Sequence, residues 1–309
     1  MPARLRQLVF FGFLIGGLSR GPSYAAHAQG NGPGVRGARA AALGNASAAL
    51  NGEVWAVANN AAGLGSLVDP TVGFYAENRY FSTALNVGAA VVALPLGRPA
   101  DSDAAGPGPE AALPGGVRAW ARRGVVAFEA QRSGGALYSE TRVGVGYGYR
   151  LGQISVGGRV EMLQISIEGL GSRRAALVSL GGQAELIPGR LTLGVYGYNL
   201  GQARLASYQD ERVPTVLRAG LAYRPTAQVL LAVETEKDVE RSANFKAGVE
   251  YRPVEALAAR VGVATLSEEM SAGVGVRFKD FGLDYTAAFQ SVLGFSQHLS
   301  ITKSWGRQN

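Results

Sequence analysis

The sequence predicts an all-β fold, a 14-stranded antiparallel transmembrane β-barrel with a small helical plug at its N-terminus. Three observations lead to this prediction: apolar and polar residues alternate along most of the chain, glycine is abundant, and cysteine is absent. Glycine makes up 44 of 309 residues, and charged residues only 17%. A helical membrane span needs roughly 20 apolar residues, and no run of that length occurs, which leaves strands as the spanning element.

The first 28 residues have the features of a secretory signal peptide. Two arginines precede the apolar run LVFFGFLIGGL (8–18), and the small residues AHA (26–28) stand before Gln29. A charged region, a short apolar core and an A-x-A site are typical of cleaved export signals. We therefore predict that residues 1–28 are removed and that the protein is exported.

Alternation at period two defines the strands. In residues 245–252, apolar or aromatic residues occupy every odd position, and Lys, Gly, Glu and Arg occupy the even ones. The same division recurs at 217–224, 257–264 and 281–290, which indicates strands with one apolar and one polar face. The polar face mixes charges with Gly and Ala, as in a confined lumen, which favours a membrane barrel over the alternative, a soluble β fold. The predicted strands are 70–77, 84–95, 123–131, 139–149, 154–167, 175–186, 191–199, 214–223, 228–236, 244–251, 256–264, 271–278, 281–289 and 297–305.

The connections alternate in length. Tight segments such as RLGQ, IPGR and RPVE follow the even strands, whereas longer ones, including RSGGALY, EGLGSRR and LGQARLASYQDERV, follow the odd strands. Outer-membrane barrels have short periplasmic turns and longer outer loops. The octets RAGLAYRP (218–225) and KAGVEYRP (246–253) then both mark the periplasmic end of a strand. Aromatic residues at this boundary, where amphipathic rings are favoured, are Tyr149, Tyr223, Tyr251, Phe278 and Trp305.

Charged residues on the polar faces form a predicted lumen charge ladder. Its members, in chain order, are Arg218, Glu234, Glu236, Lys246, Glu250, Arg260, Arg277 and Asp284. Neighbouring strands mostly offer opposite signs, so cross-strand pairs are expected to brace the barrel. A substrate pathway that uses the same residues is the alternative.

The sequence contains few residues that could serve in catalysis or bind a metal. The chain has no cysteine, and His298 is the one histidine outside the signal segment. A zinc site of His and Cys and a Ser-His-Asp triad therefore lack the residues they need. We predict a protein that is not an enzyme, has no cofactor or metal, and binds no nucleic acid, since its basic charge is only mild.

The chain divides into a signal peptide (1–28), an N-terminal plug segment (29–69) and the barrel (70–309). Residues 97–121 are rich in Pro and Gly and are predicted to form a periplasmic insertion. This insertion is either a tolerated loop or a binding site for a partner or lipid headgroup. The plug segment has its own alternative, a short periplasmic helix outside the barrel.

Residues 34–66 carry a resemblance to a known family. They begin with Gly-Ala-Arg, continue with small residues, and end in an Asn-x-Ala-Gly-Leu turn formed by Asn60, Ala62, Gly63 and Leu64. This pattern resembles the opening of the FadL-like barrels and their Bacteroidetes-type PorV/PorQ relatives. Ala61 stands where those families have Pro, and Asn51 stands where Asp is common. The resemblance implies fourteen strands and an N-terminal segment that plugs the lumen.

The resemblance also implies two functions, both in the outer membrane of a Gram-negative cell with its lipid as a partner. One is a plugged accessory barrel that associates with proteins of type IX secretion, as in the PorV/PorQ group. The other is a FadL-like conduit for small hydrophobic solutes. The outer loop at about 200–213 is short and polar for the capture of apolar ligands, so the sequence favours the accessory barrel.

Overall fold

The computed structural model describes residues 32–96, 124–206, 211–239 and 241–306. The predicted signal peptide (1–28) and the predicted insertion (97–121) lie outside the described residues. Both therefore stay predictions.

The described residues form one closed antiparallel barrel of fourteen strands, with a short two-stranded ribbon in one connection. The strand order follows the chain, and the barrel closes where the first strand pairs with the last, from Thr71–Ser304 to Asn78–Gln297. The predicted fold class is confirmed. The strands are β1 Thr71–Asn78, β2 Val87–Pro95, β3 Val125–Gly134, β4 Tyr138–Leu151, β5 Ile154–Ile167, β6 Gly171–Ile187, β7 Leu191–Tyr198, β8 Arg204–Ala206, β9 Glu211–Arg212, β10 Val216–Tyr223, β11 Val229–Asp238, β12 Asn244–Val254, β13 Leu257–Ala264, β14 Glu269–Phe278, β15 Phe281–Gln290 and β16 Gly294–Ser304, of which β8 and β9 form the ribbon.

The two faces of the wall follow the alternation of the sequence. On β12, Phe245 is 58% exposed, whereas the adjacent Lys246 is 5% exposed. The outward positions of the other barrel strands are likewise mainly apolar, which is the surface that lipid requires. Closure gives every barrel strand two neighbours, so the backbone groups of the wall find partners within the sheet. Among the described helices, none is long and apolar enough to cross a membrane.

The two ends of the barrel differ in their connections. At one end, called here the turn end, residues 152–153, 255–256 and 279–280 make tight turns. At the other, the loop end, are the connections 79–86 and 199–215.

Two connections predicted as long loops at the loop end are shorter in the structure. The segment RSGGALY belongs mostly to β3 and β4, and EGLGSRR mostly to β6, which leaves only 135–137 and 168–170 as connections. The sequence prediction was wrong here because strand pairing continues past the apolar band. Ser172, Arg173 and Arg174 extend β6 with polar side chains.

The plug contains three short helices, the first of them flanked by glycines. Helices α1 (Ala38–Ala42) and α2 (Ala56–Asn59) are followed by a 3-10 helix at Ala61–Ser66, and all three are largely buried. Alanine favours helix, but Gly37 and Gly44 adopt φ values of 93° and 65° on either side of α1. These backbone conformations suit glycine and keep the helix to little more than one turn.

Candidate functional site

The plug packs directly against glycines of the inner wall. A Cβ added to Gly248 would lie 2.6 Å from the Leu43 Cα atom, and one added to Gly148 would lie 2.7 Å from the Leu64 Cβ atom. Gly146 and Gly262 also face the plug, whereas Gly144 faces the Arg159 side chain. Because these wall positions are glycines and carry no side chain, the backbone of the plug can lie directly against the sheet.

The predicted plug turn ties two parts of the plug to the wall. Asn60 is fully buried; its Nδ2 atom donates to the Ala48 carbonyl at 2.7 Å and to the Val195 carbonyl of β7 at 3.1 Å. Its Oδ1 atom accepts from the Ala62 amide at 3.2 Å. The other turn residues, Ala62, Gly63 and Leu64, are buried against the wall. One side chain thus joins the turn, an earlier part of the plug and a barrel strand.

The charge ladder forms two clusters. In the first, Lys246 Nζ lies 3.0 Å from Glu234 and 2.8 Å from Glu236, and Arg218 Nε lies 2.6 Å from Glu236. All four side chains point inward from adjacent strands. Basic and acidic groups are equal in number within this cluster, which is the arrangement of an internal brace.

The second cluster continues around the wall. Arg260 contacts Glu250 at 2.6 Å and Asp284 at 2.7 Å, and Arg277 contacts Asp284 at 3.0 Å. The plug residue Arg39 adds a fifth charge, with its Nε atom 2.8 Å from Glu250. Burial alone would lower the pKa of Arg39, but the Glu250 and Glu53 carboxylates more than offset this and raise it. Arg39 therefore stays charged between two carboxylates.

Glu234 joins the first cluster to the plug backbone. Its Oε2 atom accepts the Ser47 and Ala48 amides, both at 2.7 Å, while its Oε1 atom faces Lys246. The side chain is 4% exposed. The carboxylate thus fixes a plug segment that has no helical hydrogen bonds of its own at these two amides.

A further charged cluster, on β3 to β5, was not predicted from the sequence. Arg159 lies 2.6 Å from Glu129, and Arg142 lies 3.2 Å from Glu161. The plug residue Arg36 approaches it, with Nε 4.0 Å from Glu129. Burial lowers the pKa of Arg36, and the Glu129 charge opposes that shift only in part. The sequence contained the information needed to find this cluster, because its strand residues occupy the inward-facing positions of the alternating pattern.

The first described residues cross the lumen beside these arginines. Arg142 Nη2 donates to the Gly32 carbonyl at 3.0 Å, and Arg218 Nη2 donates to the Gly34 carbonyl at 3.2 Å. Arg36 and Asn59 exchange two hydrogen bonds of 2.8 Å. This extended segment is therefore held by side chains from both halves of the wall.

An apolar cluster fills the loop end of the lumen. The described parts of the connection after β7, residues 199–206 and 211–215, carry the β8–β9 ribbon and fold inward, so that Leu205 and Val213 are buried against the wall. At its inner edge, the Tyr198 hydroxyl lies 2.5 Å from Arg142 Nη1. The connection, expected to be too polar to handle apolar ligands, thus covers an apolar surface. The inward-facing members of this cluster are Leu163, Ile165, Ala175, Leu177, Tyr196, Tyr198 and Val216.

The predicted interface aromatics lie at the turn end, where their strands end. Tyr223, Tyr251 and Phe278 are exposed on the outer surface. Lys303 lies over the Trp305 ring, with its Nζ atom 5.3 Å from the centroid. Tyr149 is half-buried at the end of β4. Their role at a membrane boundary stays a prediction.

His298 is buried in the wall beside polar groups. Its Nδ1 atom lies 2.8 Å from the Tyr75 hydroxyl, which also donates to Glu77 at 3.1 Å. Within the described residues, no group of three or more His, Cys, Asp or Glu side chains could hold a metal ion.

Two solved barrels share this architecture across most of the chain. The toluene transporter TbuX of Ralstonia pickettii matches with a TM-score of 0.60 at 13% identity, covering 88% of this chain and 99% of its own. The toluene transporter TodX of Pseudomonas putida matches with a TM-score of 0.55 at 11% identity, covering 89% of this chain and 100% of its own. The chain has the same closed-barrel fold as these two transporters. At these identities the likeness concerns the fold, and neither a family model nor a curated protein matches the sequence.

Proposed function

We propose that this protein is an outer-membrane barrel that conducts small, poorly soluble molecules. The observation that carries the proposal is the apolar cluster at the loop end of the lumen. The other two buried apolar clusters include plug residues, whereas this one is covered by a connection between strands, so its apolar character needs an explanation. We infer that the cluster is a surface that accepts apolar molecules when the connection between β7 and β10 moves aside.

The connection between β7 and β10 covers the apolar cluster through contacts that a ligand could replace. Leu205 and Val213 supply apolar contacts, while Asn199 holds both sides of the connection through its side chain, accepting from the Ala203 amide at 3.0 Å and donating to the Val213 carbonyl at 2.7 Å. At the inner edge of the cluster, the Tyr198 hydroxyl contacts Arg142, which also donates to the Gly32 carbonyl of the extended segment. A ligand that replaced Leu205 and Val213 would thus reach the plug directly. Apolar ligand sites in proteins commonly combine such a surface with a few polar groups.

The fold supports the same proposal. TbuX and TodX are toluene transporters, and apolar solutes of that class fit the chemistry of the cluster. We extend this substrate class to the present barrel as part of the proposal.

The second candidate is the plugged accessory barrel of type IX secretion, similar to the PorV/PorQ group. The observation that favours it is the firm attachment of the plug by Glu234, Arg39 and Asn60. A barrel that never opens would serve as a membrane-anchored partner for secretion proteins. The polar contacts of these three residues fit that role. The apolar cluster would have no function in it.

Uptake of a small apolar solute tests the conduit. Cells of a Gram-negative host without a barrel of this fold would express the protein, and entry of radiolabelled toluene would be measured at limiting concentration. We expect faster uptake than in cells with an empty vector. Leu177→Asn should abolish the gain, because it places an amide in the apolar cluster.

Leu170→Asn is the matched control, since this leucine lies in the 168–170 connection, is 82% exposed and takes no part in the cluster. Each variant must show the gel mobility shift on heating that marks a folded barrel. Folded wild-type protein without faster uptake would refute the conduit. Its recovery with a large secretion protein from solubilised membranes would then favour the accessory barrel.

A further inference from the structure

The outward-facing charges of the described barrel strands all have the same sign. Arg132, Arg174 and Lys237 lie near the loop end, and Lys303 lies at the turn end. Acidic residues of these strands occupy the inward parity. The outer wall thus offers positive charge to its surroundings, most of it at the loop end.

Two of these residues belong to one polar row across four strands. The register pairs Arg132 with Thr141, Thr141 with Gln164, and Gln164 with Arg174. Arg174 Nε donates to Gln164 Oε1 at 2.8 Å. The strands that carry the two arginines are three spacings apart, about 14 Å. Two guanidinium groups therefore stand at the ends of a row whose middle offers a hydroxyl and an amide.

The rows directly below this polar row are apolar. The next row toward the turn end is Ala130, Val143, Met162 and Ala176, and the one after it is Phe128, Val145, Val160 and Val178. Most of these side chains are exposed on the outer surface. The wall thus changes from polar to apolar within one row, which matches the boundary between lipid headgroups and acyl chains.

We propose that the row from Arg132 to Arg174 binds a phosphorylated glycolipid of the outer leaflet, one that carries two phosphate groups on its headgroup. Arginine binds phosphate through two parallel N–H donors, so each end of the row can hold one phosphate. Thr141 and Gln164 add donors for the sugar oxygens between them. The acyl chains lie along the apolar rows below. The site is independent of the proposed transport, because it lies on the opposite face of the wall from the lumen.

Lipid binding to the purified full-length barrel tests the site. Native mass spectrometry from detergent would compare a bisphosphorylated lipid A, the same lipid without phosphates, and phosphatidylethanolamine. We expect the bisphosphorylated lipid to bind at least about tenfold more tightly than the other two. The double variant R132Q/R174Q should lose this preference, and each single variant should lose part of it.

Lys303→Gln provides the matched control, because it removes an outward basic residue at the turn end. It should leave the preference unchanged, and all variants should keep the heat-dependent gel mobility of the wild type. Equal binding of the lipid with and without phosphates would overturn the proposal. The same loss in Lys303→Gln as in the double variant would also overturn it, since the binding would then reflect net charge alone.

Discussion

Glu234 is predicted to be the main polar attachment between barrel and plug in the first charge cluster. Glu234→Ala removes the acceptor for the Ser47 and Ala48 amides, each of which lies 2.7 Å from the carboxylate. A hydrogen bond to a charged group contributes about 1.5–3 kcal/mol. Loss of two such bonds therefore weakens local plug attachment by about 3–6 kcal/mol, and water that enters the space would favour the lower value.

Hydrogen exchange of the plug measures this effect. Because 1.4 kcal/mol corresponds to a factor of ten, a loss of about 3 kcal/mol predicts roughly hundredfold faster exchange in the segment 44–50. The barrel strands should keep their protection, since each still pairs with two neighbours. The assay is hydrogen–deuterium exchange of the refolded protein, read by mass spectrometry of peptides that cover the plug.

Glu236→Ala is the control that isolates the plug contact. Glu236 lies two residues further along β11 and shares the partners Arg218 and Lys246, but no described hydrogen bond joins it to the plug. It should therefore disturb the charge cluster while leaving segment 44–50 protected. Equal exchange of this segment in the two variants would refute the reasoning, because loss of charge pairing alone would then explain it.

Three other predictions concern the plug and the second cluster. Deletion of residues 34–62 should open large, steady channels in planar bilayers, whereas the intact protein should conduct little; an open wild type would contradict the plug. Gly248→Ala should raise conductance because its Cβ would meet the Leu43 backbone, while Gly182→Ala, whose Cβ would lie 3.6 Å from a valine methyl, should not. Arg260→Ala and Asp284→Ala should each lower the free energy of unfolding by about 1–3 kcal/mol, measured by denaturant unfolding. The double variant should lose less than the sum of the two. Additive losses would show that the 2.7 Å contact between the two side chains contributes nothing.

The barrel was predictable from sequence because its signal is local. Lipid outside and a narrow lumen inside impose opposite demands on successive residues, so each strand shows its two faces at period two. The residues of 245–252 identify their faces without reference to any other strand. Antiparallel neighbours joined by short turns then bring residues such as Glu250 and Arg260 to paired positions, because the order of the strands in the barrel follows the chain.

The extent of the hairpins and the inner charge partners needed the tertiary structure. Strands β3 to β6 continue beyond the apolar band, where polar side chains give no alternation to mark their ends. The cluster of Arg142 and Arg159 has the same inward parity as the ladder, yet its partners include the plug residue Arg36. Pairing there depends on how the plug crosses the lumen.

The sequence by itself determined the class of fold, the faces of its strands and the presence of a small-residue segment able to lie inside. Only the tertiary structure decided that Glu234 holds the Ser47 and Ala48 amides and that Leu205 turns inward over the apolar cluster. These contacts join residues far apart in the chain: Glu234 and Ser47 are 187 positions apart. No periodicity encodes such a contact, because it exists only after the wall has closed and both segments share one confined lumen.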